Sequence, residues 1–270
     1  MRVLNGTARR RPGGKGQIKG REVGQKLMVG VTPDSHVLHH KDITRPIEFD
    51  LSRPLEVEVG CGKGRFLVAR AAANPDCDFL GIERMLERVR LFDGKCRRGH
   101  VDNAAVLRLE ALYTFHYLLP AHHVRRVYVF FPDPWPKKKH HSHRLFGPLF
   151  RNALWKRLET GGKIEFATDH EEYFGEVCDG FAADARFRRV DPMPRPKEVW
   201  TEFEEMFREQ GLPIHAAAWE ALAGDDAPLE PLTVPPEAEP REGVARRAPR
   251  AERERMASND NQRKQRKEQQ

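Results

Sequence analysis

Four cysteines in 270 residues, none of them in a CxxC pair, argue against a disulfide scaffold and against a structural zinc site. A reducing cytoplasm is the compartment this usage fits. No apolar run approaches the roughly 18 residues a membrane helix needs, so a helical span is excluded. The stretch Met1 to Pro12 is basic but has no apolar centre and no small-residue cleavage site, which argues against a secretory leader. Apolar residues are also scarce, at 39%, and charged residues abundant, at 32%. An average domain has roughly 45–50% and 25%. Length alone permits one or two domains.

What is present is unevenly placed. The formal charge is +7, yet residues 1–30 alone carry +7 and residues 241–270 carry +5, leaving −5 for the 210 residues between them. The first 30 residues are rich in Gly and Arg and lack apolar periodicity, so they read as a disordered basic extension. Residues 31–223 read as the folded domain. Residues 224–240 hold five prolines interspersed with acids and read as an extended linker. Residues 241–270 have almost no large apolar side chain and read as a second disordered basic tail. Such ends are either simply solvated or add phosphate affinity to a nucleic-acid binder.

The middle alternates. Strands are expected at Leu55–Val59, Phe79–Ile82, Val106–Leu109, Val124–Phe131 and Lys163–Ala167. Helices are expected at Arg65–Ala73, Met85–Arg98, Phe146–Leu158 and Glu171–Ala183. This order predicts an α/β fold, a mostly parallel sheet with helices on both faces. Ligands of such sheets bind outside the carboxyl ends of the strands, and the unusual residues of this sequence fall there.

The first strand runs into Glu58-Val59-Gly60-Cys61-Gly62-Lys63-Gly64. Glycines let the backbone turn tightly and approach a ligand closely. The spacing is GxGxG rather than GxGxxG, and the Lys-Ser/Thr ending of a P-loop is missing, which disfavours a dehydrogenase and a nucleoside-triphosphate site. A carboxylate beside the glycines suits a cationic ligand such as S-adenosylmethionine. Cys61 has no base beside it and reads as packing. Glu83, 19 residues after Gly64, can accept ribose hydroxyls, or can simply favour a helix start. Glu110, after the third strand, can accept an exocyclic amine.

The most distinctive segment follows the fourth strand: Phe131-Pro132-Asp133-Pro134-Trp135-Pro136-Lys137. Three prolines fix the backbone and aim Asp133 and Trp135. From Lys137 to Arg144, four Lys/Arg and three His fill seven of eight positions, a composition suited to phosphate binding and base stacking. The histidines lack a Cys or acid at ligand spacing, so no metal is expected. Asp169 adds a carboxylate after the fifth strand, where it also suits a helix N-cap. Thr201-Glu202-Phe203-Glu204 alone is just a hydrophobic–acidic segment.

Together these motifs resemble the bacterial tRNA (guanine-N7-)-methyltransferase family, over roughly Ile47 to Leu212. The Phe131–Lys137 segment is the most specific element, because other S-adenosylmethionine enzymes share the glycine loop without it. The resemblance implies a Rossmann-like class I S-adenosylmethionine-dependent methyltransferase acting on a guanine in the tRNA variable loop. It implies that Glu58, Gly60, Gly62, Glu83, Glu110 and Asp133 contact the cofactor. Asp133 would also be catalytic, and Lys137, Asp169, Thr201 and Glu204 would contact the substrate. Two positions depart from the family pattern: Glu110-Ala111 replaces Asp-Ala, and Ser142-His143 replaces a Lys/Arg pair.

Overall fold

The computed structural model describes residues 37–39, 49–223 and 229. The two expected basic ends lie outside these residues, as does the linker apart from Leu229. In chain order the elements are β1 (Val37–His39), β2 (Leu55–Val59), α1 (Arg65–Ala73), β3 (Asp78–Ile82), α2 (Leu86–Gly99), β4 (Ala104–Arg108) and α3 (Ala111–Tyr113). A π-helical turn, Thr114–Leu118, extends α3. Then come β5 (Val124–Phe130), α4 (Pro148–Arg157), β6 (Leu158–Thr168), α5 (Glu171–Ala182), β7 (Phe187–Val190), α6 (Glu202–Glu209) and β8 (His215–Ala221), with 3₁₀ turns at Lys138–His143 and Lys197–Val199.

Eight strands form one sheet in the order β1-β4-β3-β2-β5-β6-β8-β7. All pairings are parallel except those of β8, which runs antiparallel to both β6 and β7. After β2 the chain steps outward through β3 and β4, then returns to β5 on the other side of β2. The order therefore reverses between β2 and β5, and a crevice at such a point is where a Rossmann-like sheet takes its ligand.

Strand alternation sorts side chains into two cores. Leu55, Val57 and Val59 face one core with Val127, Val129, Ile164 and Phe166, covered by α4 and α5. Tyr128 and Phe130 face the other, covered by Phe66 and Leu67 of α1 and Val89 and Phe92 of α2. Glu56 and Glu58 share this second side and are buried there. Glu56 is neutralised by Arg70 and Arg125 and accepts a 2.6 Å hydrogen bond from the Tyr128 hydroxyl. Among the described residues no helix is long and apolar enough to cross a membrane.

Five strands and four helices stand where the sequence places them, with corrected ends. The strand expected over Val106–Leu109 begins at Ala104, and the helix expected over Phe146–Leu158 stops at Arg157. Leu158 instead opens β6, whose length of 11 residues includes a register shift opposite Val124–Arg126. Gly162 is required in that irregular stretch, since a Cβ there would stand 2.9 Å from the Glu159 and Val124 carbonyl oxygens. The elements β1, α3, β7, α6 and β8 are not among those the sequence pattern predicts.

Candidate functional site

Glu58, next to last in β2, sets its carboxylate against the start of α1, whose N-cap, Gly64, has no side chain to offer. The Leu67 N–H donates to Glu58, while the buried Oε2 has no hydrogen-bond partner among the described residues. Burial, reinforced by nearby Glu83 and opposed by the Leu67 N–H and Lys95, pushes the Glu58 carboxyl up to about 8. A buried carboxylate with a vacant oxygen is a site for a cation.

The glycines divide by what lies in front of them. Gly60, Gly62 and Gly64 all have positive φ, at 72°, 55° and 73°. A Cβ on Gly60 would meet nothing within 4 Å, and one on Gly62 would meet only the Gly60 carbonyl at 4.0 Å. One on Gly64 would stand 2.3 Å from the Phe92 ring. The first two therefore open on free space, whereas the third lets α2 pack against the loop. That space, with the unpartnered Glu58 oxygen beneath it, fits a cationic nucleoside ligand such as S-adenosylmethionine.

Glu83 holds the loop from the neighbouring strand. Its Oε2 accepts from the Gly62 N–H at 3.1 Å and its Oε1 from the Met85 N–H at 2.8 Å. Oε2 also faces the Arg88 guanidinium at 3.6 Å, whereas Oε1, with one backbone donor, keeps a lone pair for a ligand hydroxyl. Glu110 is exposed and caps α3, accepting from the Leu112 N–H at 2.9 Å and the Tyr113 N–H at 2.7 Å.

One strand over, β5 stops at Phe130 because Phe131 turns to φ 52°. Trp135, at φ 45°, closes the same turn. Both residues precede a proline, which favours extended backbone, so two bulky residues occupy a conformation each costing roughly 1–3 kcal/mol. Between them Asp133 stands exposed, with no hydrogen bond or ion pair to the described residues. The Phe131 N–H donates to the Ala167 carbonyl at 2.7 Å, tying the turn to β6 just before Thr168-Asp169.

The basic segment splits into two parts. Lys137, Lys138 and Lys139 are exposed, and Trp135 packs against the rings of His140 and His143 at 5.8 and 5.0 Å. Arg144 departs from the expected phosphate role: its side chain is only 2% exposed. Its Nε donates to the Pro134 carbonyl at 2.8 Å, its Nη1 bonds Glu172 and Glu176 of α5, and its guanidinium lies 5.0 Å from the Tyr173 ring centre. It anchors the turn to α5. His141, Glu172 and Glu176 bring ligand-type atoms within 4.8 Å of one another, and Arg144 pairs with both acids.

Asp169 is half-buried and also unpartnered among the described residues. It does not cap α5, since His170 does, its Nδ1 accepting from the Tyr173 N–H at 3.3 Å. Thr201 caps α6 through its Oγ1, which accepts from the Glu204 N–H at 3.0 Å. The Glu204 carboxylate is fully buried and faces protein. Its oxygens take Arg195 Nε at 2.9 Å and Arg208 Nη2 at 2.9 Å. Arg195 in turn lies over the Phe130 ring at 4.4 Å.

The elements thus converge. The glycine loop, the Phe131–Trp135 turn and Asp169 leave adjacent strand ends, and α6 is pinned to them by Lys63–Glu202 at 2.9 Å, by Arg65–Glu205, and by Phe207 against Phe131 at 5.3 Å. Sequence reasoning missed Arg195, whose only signal was its place between two prolines, and Lys63 and Arg65, whose partners lie about 140 residues away.

A family model described as "Putative methyltransferase" matches residues 52–217. The chain is 35% identical over 179 residues to a tRNA (guanine-N(7)-)-methyltransferase of Halorhodospira halophila, covering 62% of this chain and 74% of that protein. It is 36% identical over 177 residues to one of Synechococcus elongatus, covering 62% and 82%. It is 34% identical over 165 residues to one of Thermotoga maritima, covering 60% of this chain and about half, 52%, of that longer protein.

Proposed function

The chain belongs to the tRNA (guanine-N7-)-methyltransferase family, and from that premise we propose that it transfers a methyl group from S-adenosylmethionine to N7 of a guanine in the variable loop of tRNA. One observation carries the reading. Two adjacent parallel strands end in complementary devices, a ligand-open glycine loop over the vacant Glu58 oxygen and a strained turn presenting an unpartnered Asp133.

Glu58, Gly60, Gly62 and Glu83 hold the cofactor, joined by Glu110 at the adenine end and Asp133 at the reactive end. When bound, S-adenosylmethionine supplies an electrophilic methyl group on a sulfonium. Guanine N7 has a lone pair and no proton, so the protein needs no strong general base, and positioning supplies much of the rate. Positive charge then develops on the imidazole half of the guanine. A fixed carboxylate facing that charge stabilises the transition state, and Asp133 is the carboxylate assigned to this role.

Asp169 provides an acceptor for the guanine N1–H and N2–H donors, which adenine does not match. Lys137 and the lysines after it hold phosphates. Thr201 and Glu204 organise α6 in the free protein, and direct contact of Glu204 with guanine would require Arg195 to release a carboxylate oxygen. Arg144 keeps the turn in register with α5.

The test is methyl transfer from labelled S-adenosylmethionine to an unmodified tRNA transcript, with nucleoside mass spectrometry of the product. The expected result is 7-methylguanosine at one variable-loop position. Methylation of a different atom, or none with S-adenosylmethionine bound, rejects the reading.

A further inference from the structure

The segment that forms α2 is basic inside a domain that is otherwise acidic. From Arg84 to His100 there are six Lys/Arg and two acids, for +4, whereas residues 31–240 as a whole sum to −5. Elsewhere in the domain arginines are matched by acids: Arg53 pairs with Asp78, Arg126 with Glu165 and Arg186 with Asp184. In the α2 segment only Arg97, held by Asp93 at 2.8 Å, and Arg88, 3.6 Å from Glu83, have an acid. Arg84, Arg90 and Arg98 are exposed and have no ion pair among the described residues.

Helix stability does not account for this charge. A cation is favourable in the last turn, where Arg98 stands, but unfavourable at the N-terminal end, where Arg84 stands. A glycine in a helix interior also costs about 1 kcal/mol relative to Ala. Yet Gly94 is kept in the middle of α2, and a Cβ there would stand 3.1 Å from Arg98 Nη1. The missing side chain leaves the room in which the Arg98 guanidinium lies along the helix.

The placement ties this face to the site. β3 delivers the chain to Arg84, and β5 delivers it to Asp133. The two strands flank β2, so their ends are about 10 Å apart. From there α2 returns along the sheet for 14 residues, about 21 Å. Arg108, exposed at the end of β4, joins the upper end, its Nε donating to the Arg84 carbonyl at 3.2 Å. The basic face thus starts beside the site and leads away from it.

Charge complementarity selects the occupant. Leu91 is the one exposed large apolar side chain of α2, and no aromatic ring is exposed on it. Single-stranded RNA is read by stacking bases on aromatics, whereas duplex RNA is read through its phosphates and shape. A row of unpaired guanidinium groups without rings matches the second. We propose that the exposed face of α2, through Arg84, Arg90 and Arg98, is a second RNA-binding surface that holds the phosphate backbone of a double-helical arm of the tRNA. This rests on the RNA-methylation reading above.

The experiment compares the wild type with two triple variants, Arg84→Gln/Arg90→Gln/Arg98→Gln and Arg84→Lys/Arg90→Lys/Arg98→Lys. Unchanged thermal melting and S-adenosylmethionine affinity verify the fold, since all three side chains are exposed. The Gln variant is expected to raise KM for a tRNA transcript about tenfold with kcat unchanged, and to lower the slope of log affinity against log salt by about three. The Lys variant should stay near wild type, because an ammonium also holds phosphate as a point charge. An unchanged salt slope in the Gln variant overturns the proposal. So does a Lys variant as weak as the Gln variant, or a loss confined to kcat at saturating tRNA. Binding to vesicles of anionic phospholipid that the Gln variant loses, with tRNA affinity intact, also overturns it and assigns the face to a membrane. A wild type that binds tRNA through α2 but forms no 7-methylguanosine instead refutes the functional reading, so the two failures are distinguishable.

Discussion

The two halves of the site are prepared to different degrees. At the β2–β3 ends the acids are buried and committed: Glu83 accepts two backbone N–H groups, and Glu58 sits against the start of α1 with one oxygen vacant. At the β5–β6 ends Asp133 is exposed, Asp169 is half-buried, and neither has a partner among the described residues. The first half is a socket finished by folding alone. The second stores backbone strain and unpaired charge, which the proposed reading leaves for the substrate to complete. A small ligand that recurs in every turnover suits the former, and a large ligand that must be bent into place suits the latter.

The sharpest way to break this contrast is Asp133→Ala. It should cut methyl transfer about a hundred- to a thousandfold while weakening S-adenosylmethionine affinity, read by calorimetry, only a few-fold, because the other cofactor contacts stay in place. A parallel loss of cofactor binding would show that the halves are one device.

Next is a pair of alanines. Gly64→Ala meets Phe92 and keeps a positive φ, so it should destabilise the chain by roughly 3 kcal/mol in denaturant unfolding. Gly60→Ala opens on free space and should cost only about 1 kcal/mol from its backbone conformation, yet weaken cofactor binding. Equal destabilisation would contradict the division of the loop into packing and ligand-facing glycines.

A third test uses pH. Burial holds the folded-state Glu58 carboxyl at about 8, above its ordinary 4.5. Between those values the folded chain retains a proton that the unfolded chain has released, so stability falls as pH rises across that window. Glu58→Gln should remove this slope, giving higher melting than wild type near pH 8. A cationic ligand favours the ionised acid. Its binding below pH 8 should therefore release a proton, and affinity should climb by up to about tenfold per pH unit. Glu58→Gln should flatten that climb.

The smallest effect is expected at the rim. Lys137→Ala should weaken tRNA binding a few-fold and lower the slope of log affinity against log salt by about one. Arg144→Ala, although it also removes a positive charge, should leave that slope unchanged and depress kcat, since its guanidinium holds the Pro134 carbonyl.

Much of the socket was legible in the sequence because it obeys local rules. Alternating Leu55–Val59, the glycines after it and the proline-fixed turn each carry their geometry in a few consecutive residues. The misses required partners far along the chain. Nothing near Arg144 says that Glu172 and Glu176 will bury it, and nothing near Glu204 says that Arg195 will turn an acid inward. Phe203, Met206 and Phe207 do stand at helical spacing over Glu202–Glu209, but that spacing does not say that Glu204 is the side chain turned inward. β8, which reads His-Ala-Ala-Ala-Trp-Glu-Ala, is a strand only because β6 and β7 pair with both its edges; its alanines have little strand preference.

The cysteines have a practical consequence. Cys61, Cys77 and Cys96 are buried, and burial raises the thiol of each, the last two to about 12, so all three resist alkylation. Cys178 on α5 is only partly buried, with the Arg189 guanidinium 3.2 Å from its sulfur. A maleimide dye should therefore react at one position of the natural sequence, giving a fluorescent reporter without any engineered residue.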